Sequence, residues 1–338
     1  MSDYLWDKGG EGDPEIERLE RALSPLAQST PPPPLVSTPP LPLVLRPRPA
    51  TAMRGRWVGV ALLAASVALV AGGLTLALKL RRAVPAWQVT TAQGQSSWRV
   101  GGWLETGAGE QANVKVADIG TLVVEPRTRV RLLGTRAGRH SLELARGTVH
   151  ATIWAPPNQF FVETPSTLAV DLGCAYTLTV DDDGAGLVRV LVGWVGFKWR
   201  ERESFIPAGS ACPTRPGIGP GTPYNERVSA GYREALAMLD FSPGAPGAAA
   251  ALTLILDEST ESDEVTLWHL LSRVPEADRD RVFDRLATFV APPAGVTRAG
   301  IRGGDKAMLD AWWDALGLGT TALWRTWSQQ WTDNSNRR

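Results

Sequence analysis

The chain has 338 residues and carries 35 basic against 35 acidic side chains. That balance leaves no positive field of the kind that gathers nucleic acid, so no nucleic-acid partner is expected. Fourteen tryptophans are many for this length and are expected as core or surface-groove anchors.

Residues 1–28 are polar with one short helical pattern. Asp13 suits a cap, Pro14 the first helical position, and Glu15 and Glu17 the positive end of a helix. Ile16, Leu19, Leu23 and Leu26 then line one face. A helix of about 13 residues is marginal alone in water. Its stripe has nothing of its own to pack on, which suits a partner groove and equally a frayed helix lying on a membrane. The segment cannot hold zinc through nitrogen or sulfur, because no histidine precedes His140 and no cysteine precedes Cys174.

Residues 29–56 form a linker. Its proline-rich run PPPPLVSTPPLPLVLRPRP, 31–49, favours an extended polyproline-II spacer without a core. Residues 57–78, WVGVALLAASVALVAGGLTLAL, contain no ionisable side chain. As a helix they would be roughly 33 Å long, enough to cross a hydrocarbon core of roughly 30 Å. Arg54 and Arg56 close the run on one side; Lys79, Arg81 and Arg82 close it on the other. The upstream arginines, which include Arg46 and Arg48, slightly favour a cytoplasmic N-terminus. Ala64, Ala68 and Gly72 are small residues four apart, a spacing that suits self-association of such helices into a homodimer.

Residues 87–216 read as short alternating strands cut by Gly, Pro, Asn and Asp, among them ANVKV, TLVVE, HSLELARG and LVRVLV. This pattern predicts an all-β domain, either a sandwich or a short β-solenoid. DDDGAG at 181–186 reads as a hairpin turn, solvated and without the ligand spacing of a calcium loop. GIGPGTP at 217–223 reads as an interdomain linker.

Over 225–331 the period changes, predicting an all-α domain of five or six helices. Leu267, Leu270, Leu271 and Val274 make one stripe, Val282, Phe283, Leu286 and Val290 a second, and Leu309, Trp312, Trp313 and Leu316 a third. Ser262, Pro275 and Asp305 stand where helices could start, and 332–338 read as a disordered tail. The whole is therefore multi-domain, with a single membrane helix between the N-terminal segment and the β domain. No P-loop, HExxH, GxSxG or CxxC occurs, and the three histidines lie far apart. Neither an enzyme nor a bound cofactor or metal is expected.

Residues 162–209 read VETPSTLAVDLGCAYTLTVDDDGAGLVRVLVGWVGFKWRERESFIPAG. They resemble the ferric-citrate regulator (FecR) family of membrane-anchored signalling proteins. Thr164-Pro165 match the family's Thr-Pro step. Gly173-Cys174-Ala175-Tyr176 stand at its Gly-Thr-x-aromatic step, with cysteine in place of threonine. The run Val190 to Val195, with Gly193, matches its V-x-x-G-x-V strand, and Ala208-Gly209 its late turn. Upstream, VEPRTRVRLL and LELARGTVHA resemble the preceding strands of the family.

The resemblance implies a cytoplasmic N-terminal segment that binds an extracytoplasmic-function sigma factor, one inner-membrane helix, and a periplasmic β domain that receives a signal from another envelope protein. Family members typically end in a small βαβ domain, where this chain has helices. The alternative reading is an envelope binding or scaffold protein with no sigma-factor partner. In an oxidising periplasm Cys174 has one intrachain partner, Cys212; a bridge would close a loop of about 38 residues and contribute about 3–4 kcal/mol. Without a bridge, both would be buried apolar fillers. Some family members also cleave themselves at the Gly-Thr step, which Gly173-Cys174 occupies here.

Overall fold

The computed structural model describes residues 86–318. The expected N-terminal helix, proline-rich linker, membrane helix and tail lie outside the described residues, as do 319–331 of the expected helical domain. Among the described residues no helix is long and apolar enough to cross a membrane.

The β region is one sheet folded into two limbs over a long strand, β7 (Arg139–Ile153). The first limb runs in the order β2 (Gly94–Arg99), β1 (Ala86–Thr91), β4 (Ala112–Val116), β5 (Gly120–Val124), the second half of β7, β10 (Ala175–Val180), β11 (Gly186–Val192) and β14 (Ser210–Arg215). Two short strands, β15 (Gly219–Pro220) and β16 (Tyr224–Asn225), both pair with β14. The second limb runs β3 (Trp103–Glu105), β6 (Arg129–Arg136), the first half of β7, β8 (Phe160–Glu163), β9 (Leu168–Asp171), β12 (Trp194–Trp199) and β13 (Arg202–Pro207). All these pairs are antiparallel except β7 with β8. The limbs hand over at Gly147, whose φ is +94° and where a Cβ would fall 2.3 Å from Thr128 Oγ1. Only glycine lets β7 turn there against its neighbour.

Alternation decides which side chains face inward. In β4, Ala112, Val114 and Val116 are buried while Asn113 and Lys115 are exposed. Leu122, Val149, Leu178 and Val188 of the first limb meet Val130, Leu144, Val162 and Phe197 of the second in one core. The two limbs of this one large, mainly antiparallel sheet enclose a common core in a sandwich-like arrangement.

The second limb is also covered on its outer face. Strands β8 and β9 show no alternation because both faces are buried: Phe160, Val162 and Ala169 point to the sandwich core, Phe161, Leu168 and Val170 to the helices. Those helices are α1 (Ala230–Phe241), α2 (Ala248–Glu258), α3 (Glu264–Arg273), α4 (Glu276–Ala287), α5 (Arg298–Arg302) and α6 (Lys306–Ala315). The predicted stripes face inward, with Leu267, Leu270, Leu271, Val282, Leu286, Trp312 and Trp313 all buried. Asp305 caps α6 by accepting from the Ala307 and Met308 amides, and Pro275 precedes α4. Ser262 starts no α-helix; it sits in a 3-10 turn whose capping box joins Thr260 and Asp263.

The linker expectation for 217–223 fails. Gly219 to Pro223 are buried between sheet and helices, so the helices form a layer on the sandwich and share its second core.

Candidate functional site: three glycine corners and a buried polar seam

The motif glycines stand at the corners where the chain passes from one limb to the other, whereas Thr164-Pro165 stand at the opposite end of β9, within the second limb. Thr164-Pro165 form the tight turn between β8 and β9: Thr164 Oγ1 accepts from the Thr167 amide at 3.0 Å and donates to the Thr167 carbonyl at 2.9 Å. Gly173 lies between β9 and β10, Gly193 between β11 and β12, and Gly209 between β13 and β14, each with φ between +74° and +83°. At Gly193 a Cβ would fall 2.3 Å from the Gly173 carbonyl oxygen, so two of the corners touch backbone to backbone. The Gly193 carbonyl accepts from the Ala208 amide at 3.0 Å, and the Gly209 amide donates to the Val190 carbonyl at 2.8 Å.

At the first corner a carboxyl is buried with a thiol. Asp171, 2% exposed, accepts from the Gly173 amide at 2.7 Å and from Cys174 Sγ at 3.0 Å. Burial pushes its carboxyl up to about 7, against the pull of the Cys174 thiol and the Gly173 and Cys174 amides. Burial first, and then the Asp171 carboxylate, raise the Cys174 thiol well above the ordinary range. Tyr176 packs in the same core, fully buried, and its hydroxyl has no hydrogen-bond partner among the described residues.

The expected Cys174–Cys212 disulfide is absent; both thiols are free and buried. Strand β11 lies between them. Cys212 pairs with Val188 and Ala175 with Val192. Two strand spacings and about five residues of offset separate the cysteines by more than about 15 Å, whereas a bridge requires Cα atoms within about 7 Å. Cys212 Sγ instead donates to the Gly221 carbonyl at 3.1 Å, and burial pushes its thiol up to about 12. Both sulfurs keep their protons at neutral pH and are weak nucleophiles. For an acyl shift at Gly173-Cys174, the site therefore lacks a thiolate.

The second part of the site is a seam between sheet and helices, built on the segment that looked like a linker. Asp240 of α1 accepts from the Thr222 amide at 2.6 Å, from Thr222 Oγ1 at 3.0 Å and from Arg202 of β13 at 2.5 Å. Arg273 of α3 stands 3.4 Å away and donates to Thr222 Oγ1 at 3.0 Å, the Glu203 carbonyl at 2.7 Å and Ser204 Oγ at 2.7 Å. One carboxylate thus faces two guanidiniums, and one arginine satisfies the backbone and hydroxyl groups of β13. His269 completes the seam. Its Nδ1 donates to the Val265 carbonyl at 2.8 Å, which leaves Nε2 to accept the Phe205 amide at 3.1 Å. Burial, and then Arg273, hold the imidazole well below its ordinary pKa, so it is neutral.

Sequence reading found the glycine corners but missed Asp171, Arg202, Asp240 and Arg273. One signal was legible for Asp240. It falls on the α1 stripe of Tyr232, Ala235 and Leu236, a charged residue on a buried helix face. Among the described residues, no three His, Cys, Asp or Glu side chains converge as metal ligands. The N-terminal stripe Ile16, Leu19, Leu23 and Leu26 lies outside the described residues.

Residues 103–196 match the family model for FecR protein, which agrees with the resemblance read from the motif residues. No curated protein matches the chain. Two crystal structures of a candidate anti-sigma factor from Parabacteroides distasonis ATCC 8503 are similar to it at 18% identity and a TM-score of 0.33. The match covers 40% of this chain and 63% of theirs, less than two thirds of their length.

Proposed function

We propose that the chain is a single-pass inner-membrane signalling regulator, not an enzyme, that passes a periplasmic signal to an extracytoplasmic-function sigma factor. The observation that carries this reading is the FecR match over 103–196, which follows the uncharged run 57–78 in the chain. In this reading the N-terminus is cytoplasmic, the sandwich and helices are periplasmic, and Ile16, Leu19, Leu23 and Leu26 enter a groove of the sigma factor. The seam at Asp240 makes sandwich and helices one receiving body, because moving α1 or α3 would strand buried charges.

Two experiments test the reading. Residues 1–55 used as bait in lysate of the source organism should retain a sigma factor. Alkaline phosphatase fused after Arg338 should be active, and fused at Ala50 inactive. The expected topology without a retained sigma factor would favour the envelope scaffold; the reverse topology would remove the sensor reading.

A further inference from the structure

The large apolar side chains that remain exposed are unevenly distributed. Among the described residues they are Val100, Trp103, Trp154, Leu191, Val192 and Ile218. The strand register places most of them together. A continuous row of paired residues crosses the first limb: Gln88, Lys115, Thr121, Thr152, Ala175, Val192. Val192 ends this row. Trp154 lies two residues beyond Thr152, on the same outward side by alternation. Val100 follows Arg99, which pairs with Ala86 two residues beyond Gln88. Trp103 begins the next strand. Four of the six therefore lie on one rim of the sheet and Trp103 is three residues along the chain from it, while Ile218 lies in the turn after β14 at the other end.

Two local devices keep this rim apolar. A bulge opposite Ala175 and Tyr176 gives β11 an extra residue, so that Leu191 and Val192 are both 63% exposed instead of one in and one out. Trp154, 64% exposed, is tethered by its indole N–H to the Asp118 carbonyl at 3.2 Å and so lies across the neighbouring β4–β5 turn. The charges around them are mostly positive. Arg129 stacks on the Trp103 ring at 4.0 Å while pairing with Glu105 at 2.9 Å, and Arg131 stands over the same ring at 5.5 Å; Arg99 and Lys115 are exposed, and Asp118 adds a second acidic group in the turn.

The chain enters the described fold at this same rim, at Ala86. Seven residues, KLRRAVP at 79–85, separate it from the uncharged run 57–78, and seven residues reach at most about 25 Å. Tryptophans with arginines beside an apolar surface are the side chains that settle at a headgroup boundary. We propose that this rim rests on the bilayer, with Val100, Trp103, Trp154, Leu191 and Val192 at the boundary of headgroups and acyl chains, so that the β domain is docked on the membrane and not merely tethered to it. The inference relies on residues 57–78 spanning that membrane. Docking fixes the orientation of the sandwich: the Ile218 end and its turn point away from the lipid, toward whatever delivers the signal.

The test uses the full chain in vesicles of phosphatidylethanolamine and phosphatidylglycerol. Cys174 and Cys212 are buried, so a nitrobenzoxadiazole label added to folded Val192→Cys or Ile218→Cys reports on the new site. The label at 192 should shift to the blue and be quenched by lipid brominated near the headgroup, placing it within about 10 Å of that boundary. The label at 218 should behave as in water. In a chain carrying Trp154→Ser, Leu191→Ser and Val192→Ser, a label at Val100→Cys should lose its lipid quenching. Since the serines replace exposed side chains, the fold is kept.

Chains that float with the vesicles but leave residue 192 in water would overturn docking alone. Failure to float at all would overturn the spanning reading and docking together. Shielding of residue 192 without lipid quenching would assign the rim to a second copy of the chain. Quenching at residue 100 that survives the three serines would reduce the effect to tether length, and either result overturns the proposal.

Discussion

Asp171 and Asp240 are withdrawn from water almost equally, at 2% and 3% exposure, yet they stand in regions built differently. Asp240 lies in the seam between sheet and helices, where two guanidiniums, a backbone amide and a hydroxyl converge on it. Asp171 lies at a corner of the sandwich and meets only a thiol and amides, with no cation. A buried carboxylate with cations near it acts as a clamp, because its partners lose their counter-charge if it leaves. One without them is pushed toward the neutral acid, as the rise to about 7 at Asp171 indicates. The seam is therefore held by charge and the corner is sensitive to protons.

The hardest blow to this contrast should be Asp240→Ala. It leaves Arg202 and Arg273 facing each other in a buried space and removes the acceptor for Thr222, and should cost about 3–5 kcal/mol. Limited proteolysis should then cut the 219–223 segment, buried in the parent, while the sandwich stays resistant. Cleavage spread evenly over strands and helices would show that the seam is no separate clamp.

Next in size is the proton response at Asp171. Its folded pKa of about 7 lies above the reference value of 3.8. Between these values the folded chain holds a proton that the unfolded chain has lost, so this group's contribution to stability falls as pH rises from about 4 to 7 and is level above. Converted directly, the effect is on the order of 4 kcal/mol at most. Asp171→Asn should abolish it, becoming more stable than the parent at pH 8 and nearly equal to it at pH 4, as read by urea unfolding. A constant difference across that range would mean that Asp171 is ionised throughout.

His269 should respond in the opposite direction. Its folded pKa is depressed below 6.5, so the unfolded chain takes up the proton first and stability is lost as pH falls below about 6.5. His269→Ala removes that dependence and leaves the Phe205 amide without its acceptor, at about 1–3 kcal/mol. Hydrogen exchange at Phe205 should accelerate in the variant; unchanged exchange there would mean that the imidazole contact is dispensable.

The smallest expected effect sharpens the cysteine assignment. Cys174→Ser and Cys212→Ser each alter a separate pocket, at about 1–2 kcal/mol apiece. Their costs should add in the double variant, since the two sites share no partner. Denatured, unreduced protein should label at two thiols. A double variant no worse than either single one, with no thiol labelled, would restore the disulfide.

Local rules were enough for much of this molecule. Alternation marks inward residues such as Val114 and Leu178, the helical stripes mark Leu270 and Trp313, and Asp305 can be read as a cap, because each depends only on the backbone geometry of a few neighbouring residues. Gly173, Gly193 and Gly209 were legible as turn positions, and the FecR motif is largely made of such positions. What these glycines touch was not legible: that the Gly173 carbonyl lies against Gly193 follows from two corners meeting across the fold.

The larger errors have the same origin. GIGPGTP has the composition of a linker, and only the packing of α1 and α3 over it makes it the centre of a hydrogen-bonded seam. Cys174 and Cys212 are the chain's only cysteines, so sequence could pair them; the register of β10, β11 and β14 keeps them apart. Period and turn chemistry are local properties of the chain. Which charge meets which, which segment is covered and which rim stays bare depend on strand order and layer contacts between residues distant in sequence, and for this protein only the tertiary structure decides them.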